Sequence, residues 1–232
     1  MYKRWSLLAA AVLLATSLYA TPITNIYSTG VCGGGNTGCG SPGALLAANT
    51  TDNNWSFISG PLTGTSFVAN APIPPWVANG PNSQWLSVAP PGDTTKPPGI
   101  YVIQQTFSLA GFLANTLSLS FSVTSDNSFI VRLNGTQIFS STQAGCIPEA
   151  TGGGTPCYQQ LWASTVSNVG IAGLNTLEIE VTNVPSTGNT PLGVRFEVTS
   201  ADAQPDIPEP ATWVLMGLGL AAVAVMRRRR AA

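Results

Sequence analysis

The chain reads as all-β, an antiparallel β-sandwich of jelly-roll type with a signal helix before it and a transmembrane helix after it. Three observations predict this. In run after run, apolar residues alternate with Ser, Thr or charged residues, the mark of strands with one buried and one wet face. No interior stretch carries the 3.6-residue period of an amphipathic helix of useful length. Uncharged apolar segments stand at the two ends, each beside basic residues.

Met1-Tyr2-Lys3-Arg4 is a short basic start, Trp5 to Leu18 is apolar, and Ala20 precedes Thr21-Pro22. This is the layout of a secretory signal peptide over residues 1–20, with the cut expected after Ala20. Leu18 is larger than the small residue usual two positions before such a cut, which leaves its place open by a few residues. Ile23 to Thr51 is loop-like, with Gly33-Gly34-Gly35 and Gly38 permitting tight turns.

Strand patterns begin at Trp55–Ile58 and Ser66–Ala69. Prolines at 72–75 and 90–98 exclude a central strand over most of that stretch, because each removes a ladder donor. Trp85–Val88 is a short strand between them. In Tyr101–Leu109 the odd positions are apolar apart from Gln105. Leu117, Leu119, Phe121 and Val123 then alternate with Ser or Thr. So do Phe129, Val131 and Leu133 with their neighbours, and Asn134-Gly135 follows at once. Asn-Gly between alternating runs predicts a type I′ hairpin, since both residues tolerate positive φ. Ile138-Phe139 begins the return strand and Leu161-Trp162 another. Leu177, Ile179 and Val181 alternate with Glu178, Glu180 and Thr182, and Val194, Phe196 and Val198 with Arg195, Glu197 and Thr199. Eight or nine such strands make a sandwich.

The four cysteines flank Gly-rich loops: Cys32 and Cys39, Cys146 and Cys157. Three pairings exist in principle, of which local closure, Cys32 with Cys39 and Cys146 with Cys157, is the simplest. A zinc site fits poorly, for there is no histidine and no Cys-x-x-Cys. Charge is segregated. Between Thr21 and Gln204 three basic residues stand against eight acidic ones, a net charge of −5. Such a domain lacks the basic patches that nucleic acid or an anionic membrane surface requires.

Pro208-Glu209-Pro210 is followed by an uncharged apolar run, Ala211 to Met226, and then by Arg227-Arg228-Arg229-Arg230. As a helix the run would reach about 24 Å against a hydrocarbon core of about 30 Å. It is a short span, with the arginines snorkelling on the cytoplasmic side. This order of parts resembles the PEP-CTERM sorting signal of Gram-negative bacteria. The resemblance implies recognition by a membrane-embedded exosortase, cleavage near Pro208-Glu209-Pro210, and delivery to the cell surface or exopolysaccharide matrix. It also implies that Arg227 to Arg230 act as the stop signal. A plain tail anchor is the other reading. The expected organisation is a signal peptide 1–20, an exported sandwich 21–203, a linker 204–210, a transmembrane helix 211–226 and a cytoplasmic tail 227–232.

A second resemblance rests on Tyr101…Phe107-Ser108-Leu109, Asp126…Val131-Arg132-Leu133-Asn134-Gly135, Gly173-Leu174-Asn175-Thr176-Leu177 and Val181-Thr182-Asn183. These are similar to the galactose-binding-like jelly-roll domains, over roughly Asn49 to Thr199. Members of that group include sugar binders, accessory domains of enzymes and modules without a known ligand, and they often hold one structural Ca²⁺. Asp126 with Asn127 offers oxygen ligands of the kind calcium takes; an Asx-turn is the alternative. No other cofactor is implied.

Without histidine there is no Ser-His-Asp triad and no Cys-His pair. Glu178 and Glu180 share one strand face, roughly 7 Å apart, and are the one pair that suggests glycoside cleavage. A solvated strand face explains them as well. Sugar rings stack on exposed aromatics. Trp55, Trp85 and Trp162 lie in strand patterns and read as core, whereas Trp76 sits among prolines in a loop, with Tyr158 next beside the second cysteine loop. Trp76 is thus the aromatic most open to exposure, but its expected role is a packed loop anchor, with a sugar platform as the alternative. The expected function is a non-enzymatic surface or matrix protein, structural or adhesive within extracellular polysaccharide. A carbohydrate-binding module is the first alternative and a polysaccharide-degrading enzyme the second.

Overall fold

The computed structural model describes residues 19–206, apart from 37–38, 71–72, 90, 92, 150–152 and 186–187, together with Gly219. Most of the expected signal helix, Pro208, Glu209 and Pro210, nearly all of the apolar run and Arg227 to Arg230 lie outside the described residues. No helix among the described residues is long and apolar enough to cross a membrane.

The strands are β1 (Thr21–Pro22), β2 (Thr51–Ser59), β3 (Gly64–Val68), β4 (Leu86–Val88), β5 (Thr95–Lys96), β6 (Gly99–Ser108) and β7 (Phe112–Asp126). They continue as β8 (Ser128–Leu133), β9 (Thr136–Ser140), β10 (Trp162–Ser167), β11 (Leu174–Asn183), β12 (Thr190–Pro191) and β13 (Gly193–Pro205). One short helix, α1 (Ser141–Ala144), and a 3₁₀ turn at Cys157–Gln159 are the only helical pieces among the described residues. Among the described residues, eleven strands pair antiparallel in one sheet along the path β10-β7-β13-β4-β3-β2-β6-β11-β8-β9, with β1 added to β13, and β5 and β12 form a separate two-stranded sheet.

The path doubles back on itself. Phe121 of β7 meets Phe139 of β9 at 6.0 Å between ring centres, and Trp55 of β2 meets Phe196 of β13 at 5.7 Å. None of these strands are neighbours in the path, so β10-β7-β13 forms one layer and β3-β2-β6-β11-β8-β9 the other. The expected β-sandwich is present. Each alternating stripe supplies its core side chains, Leu117, Leu119, Phe121 and Val123 from β7 and Leu177, Ile179 and Val181 from β11, all buried. Each contributes about 1.5–3 kcal/mol by leaving water.

Local signals hold at the turns. Asn134 and Gly135 have φ of 52° and 78°, the positive pair of a type I′ turn. Asn134 then reaches sideways, its Oδ1 accepting from Thr176 N (2.9 Å) and its Nδ2 donating to Asn175 Oδ1 (2.9 Å). Asn175 is fully buried and also bonds the backbone of Ile171 and Gly173. Both disulfides close locally, Cys32 with Cys39 and Cys146 with Cys157.

Three features depart from the pattern. Gln105, the polar residue at a core position of β6, is buried because its amide is satisfied by the backbone of the N-terminal loop. Its amide accepts from Tyr27 N (3.0 Å) and donates to Tyr27 O (2.9 Å), clamping the N-terminal loop to the sheet. Arg195, expected on the wet face of β13, is only 3% exposed. The proline-rich segment folds over that face, where Arg195 donates to Ser83 Oγ and Ala78 O and pairs with Glu197. Finally, β13 runs through Pro205, opposite Phe112, so the sandwich extends two residues past its expected end.

Candidate functional site

Three strand ends meet at one end of the sandwich. β7 finishes at Asp126, β8 starts at Ser128, and β11 leaves at Asn183 beside it, with Thr182 opposite Ser128. Asn127 ties these ends together. Its N donates to Thr182 O (3.0 Å), its Oδ1 accepts from Val184 N (2.8 Å), and its Nδ2 donates to Pro148 O (3.1 Å) in the second disulfide loop. That loop is held to the proline-rich segment in turn, through Val77 N to Tyr158 O (2.8 Å).

The proline-rich segment delivers Trp76 to the same place. Its ring stacks on Trp85 with centres 4.3 Å apart, and its Nε1 donates to Asp126 Oδ2 at 2.8 Å. These two indoles form a small cluster beside the main core, with Ala69, Ile73, Val77 and Tyr158 around them. Trp76 is 7% exposed, so it is the packed loop anchor and not an exposed sugar platform. The prolines that exclude a strand here still leave an apolar ring free to pack, and Trp85 supplies the surface for it. Gly193 makes the stack fit, since a Cβ there would run into both indoles.

Trp76, Tyr158, Asp126 and Asn127 therefore line a single cleft of about 260 Å³, with Ile73, Pro74, Pro75, Glu149, Val184, Thr190 and Pro191 as its other walls. The four residues that the sequence nominates separately come together. Glu149 is the member that sequence pattern misses; only its place next to the second cysteine loop hints at it.

The electrostatics of the cleft follow from burial. Asp126 is 6% exposed, and loss of water pushes its carboxyl up to about 6. The Trp76 hydrogen bond opposes this, while the nearby Glu149 charge adds to it. The cleft thus presents one buried carboxyl of raised pKa, one exposed acidic side chain, apolar proline rings and the half-buried Tyr158. It can accept hydrogen bonds from hydroxyl groups and pack against the apolar face of a sugar ring.

For calcium, the fit is partial. The Asn127 side chain is committed to Val184 and Pro148, both distant in sequence, so it bridges loops rather than forming the expected Asx-turn, and Oδ2 of Asp126 accepts the hydrogen bond from Trp76 Nε1. Among the described residues no group of three or more His, Cys, Asp or Glu could hold a metal ion.

Glu178 and Glu180 lie elsewhere, on the outer face of β11. Glu178 accepts from Gln104 (2.9 Å) and Glu180 pairs with Arg132 (3.2 Å), both cross-strand neighbours. A larger groove of about 620 Å³ runs under the first disulfide loop past Tyr27, Pro42 and Glu197. Its carboxylate is already bonded to Asn82, Ser83 and Arg195, which leaves less chemistry there than at Asp126.

Comparison with known proteins gives a match over residues 206–230 to the PEP-CTERM protein-sorting motif. The chain carries that signal, which marks an exported protein processed at the membrane by an exosortase. No curated protein matches the chain in sequence. Among solved structures it is similar to the carbohydrate-binding module CBM35 from Paenibacillus barcinonensis, at 14% identity over 65% of this chain and 98% of that one, with a TM-score of 0.30. It is also similar to the CBM36-1 domain of a multidomain xylanase from the hindgut metagenome of Trinervitermes trinervoides, at 12% identity over 68% and 92%, with a TM-score of 0.26. A β-glucosidase from Kluyveromyces marxianus in complex with glucose matches at 12% identity over 69% of this chain but 19% of its own, with a TM-score of 0.32. Likenesses this distant decide neither ligand nor activity.

Proposed function

We propose that this is an exported, non-enzymatic protein of the cell surface or extracellular matrix that holds polysaccharide in the cleft between Trp76 and Tyr158. The observation that carries the reading is the convergence of Trp76, Tyr158, Asp126 and Asn127 on one cleft of about 260 Å³. Oxygen acceptors beside apolar rings are the usual chemistry of a site for sugar hydroxyls and ring faces. In this reading the sandwich is a jelly roll of the galactose-binding-like kind, residues 1–20 direct export, and the apolar run 211–226 holds the chain in the inner membrane until exosortase cuts near Pro208-Glu209-Pro210. Arg227 to Arg230 keep the tail on the cytoplasmic side.

The test has two parts. A glycan array probed with the wild-type chain and with Tyr158→Ala and Asp126→Ala should show a signal that both variants lose, whereas signals unchanged in both would remove the cleft from the reading. Intact mass from the native host should show a species beginning near Thr21 and ending near Glu209 in the secreted fraction. A membrane species retaining Arg227 to Arg230 would mean a plain anchor.

One observation favours a second reading, polysaccharide cleavage. A carboxyl raised to about 6 beside another carboxylate is the pairing of a general acid with a base or nucleophile. Release of reducing sugar that vanishes in Asp126→Asn and Glu149→Gln would establish it; binding without release supports the first reading.

A further inference from the structure

β10 is an edge strand without the usual protection. On one side it pairs with β7 in unbroken register, from Trp162 opposite Val123 to Ser167 opposite Ser118. No other strand among those described pairs with its second side. Its sequence, Trp162-Ala163-Ser164-Thr165-Val166-Ser167, has no charge and no proline, and its pairing shows no bulge. Charged side chains, prolines and bulges are the devices that keep sheet edges from pairing with another chain. The opposite edge differs: β9 pairs with β8 through a register shift and runs straight into α1, whose Ser140 cap and Gly145 close it off.

We propose that β10 is an interface for a second copy of this chain, joined antiparallel about a two-fold axis through Ser164. The backbone donors and acceptors of a strand edge specify another strand as the occupant. The side chains specify its sequence. In a continuous sheet, paired residues share a face, so an isologous pair must match even positions with even and odd with odd. Centred on Ser164, this sets Trp162 opposite Val166 of the second copy, and Ala163 opposite Thr165 of the second copy. The inner face of the joint thereby gains two aromatic–β-branched pairs, the combination that stabilises cross-strand contacts. Its outer face meets only small uncharged side chains.

Charge points the same way. The domain carries a net charge of −5, so two copies repel each other over most of their surfaces. At β10 there is no charge to repel. The joined pair would present two copies of the cleft on one assembly, which suits a matrix protein, although the interface does not depend on what the cleft binds.

The experiment uses the full chain in detergent, its mass measured by light scattering during size exclusion over a series of concentrations. Wild type is expected to form a dimer, and Ala163→Lys with Thr165→Lys to weaken it at least tenfold while leaving the far-ultraviolet circular dichroism unchanged. Both positions are exposed, so the fold tolerates lysine there. As a second measurement, Ser164→Cys should give a disulfide-linked dimer on a non-reducing gel, and Thr136→Cys on β9 should not. A wild-type chain that stays monomeric overturns the proposal. So does a dimer indifferent to the two lysines, since another surface, or the C-terminal run, would then hold it.

Discussion

Trp76 donates its indole proton to Asp126 across 2.8 Å, linking the proline-rich segment to the end of β7 fifty residues away. The bond makes one site of two features that sequence presents separately, an aromatic in a loop and an acid at a hairpin. It also restrains the Asp126 carboxyl, whose desolvation would otherwise raise it further.

Trp76→Phe keeps an aromatic ring against Trp85 and deletes that donor. The Asp126 carboxyl is expected to move up by about one to two pH units, since a hydrogen bond to a charged group is worth roughly 1.5–3 kcal/mol. Carbon-13 titration of the carboxyl reads this directly. An unmoved value would mean that the indole does not act on the acid.

Burial of Asp126 also sets a pH dependence. Its folded value, about 6, lies above the unfolded 3.8, so the native state holds the proton more tightly than the unfolded chain does. Its contribution to stability is full below about pH 4 and is lost as pH rises through about 6. Asp52, raised by burial among Gly30, Asn36 and Asn54, works in the same direction. The difference in melting temperature between Asp126→Asn and wild type should therefore grow in favour of the variant from about pH 4 to about pH 6.5. A difference independent of pH would contradict the burial of this carboxyl.

Gly193→Ala tests the indole stack. With no room for a Cβ against Trp76 and Trp85, the pair must shift, at about 1–3 kcal/mol as overpacking usually costs. Urea unfolding measures the loss, and the near-ultraviolet circular dichroism of the stacked indoles should weaken with it. Retention of both would show that the site has slack.

Asn175→Ala removes the acceptor for Ile171 N and Asn134 Nδ2 and the donor to Ile171 O and Gly173 O. The buried Asn175 amide goes and several part-buried groups lose their partners at once, for which about 3 kcal/mol is expected. Denaturation midpoints would show it. A loss comparable to that of an exposed Asn would mean that the turn holds itself.

The two disulfides should separate stability from binding. Each closes a short loop and contributes roughly 2–3 kcal/mol in the chain-entropy model. Only Cys146–Cys157 belongs to the cleft, for Cys157 O accepts from Thr124 and Trp162 next to Tyr158. Cys146→Ala with Cys157→Ala should thus lower glycan binding as well as stability, and Cys32→Ala with Cys39→Ala stability alone. Equal effects on binding would detach the second loop from the site.

Chain order alone discloses whatever depends on neighbours in sequence. Period-two alternation marks the strands, because a side chain's face is decided by parity along its own strand. Asn134-Gly135 marks its hairpin, because φ preference belongs to the residue itself. The motif at Pro208-Glu209-Pro210, with its apolar run and arginines, is legible for the same reason. Tertiary structure decided the exceptions. Arg195 is buried although its parity says wet, because a segment more than a hundred residues earlier in the chain covers it through Ser83 and Ala78. Gln105 occupies a core position because Tyr27 needs a partner there. Trp76 is a loop anchor whose partners, Trp85 and Asp126, only the fold supplies, and the cleft exists only because β7, β8, β11 and two loops end at one place. Such contacts depend on which distant surfaces meet, and no local period encodes that.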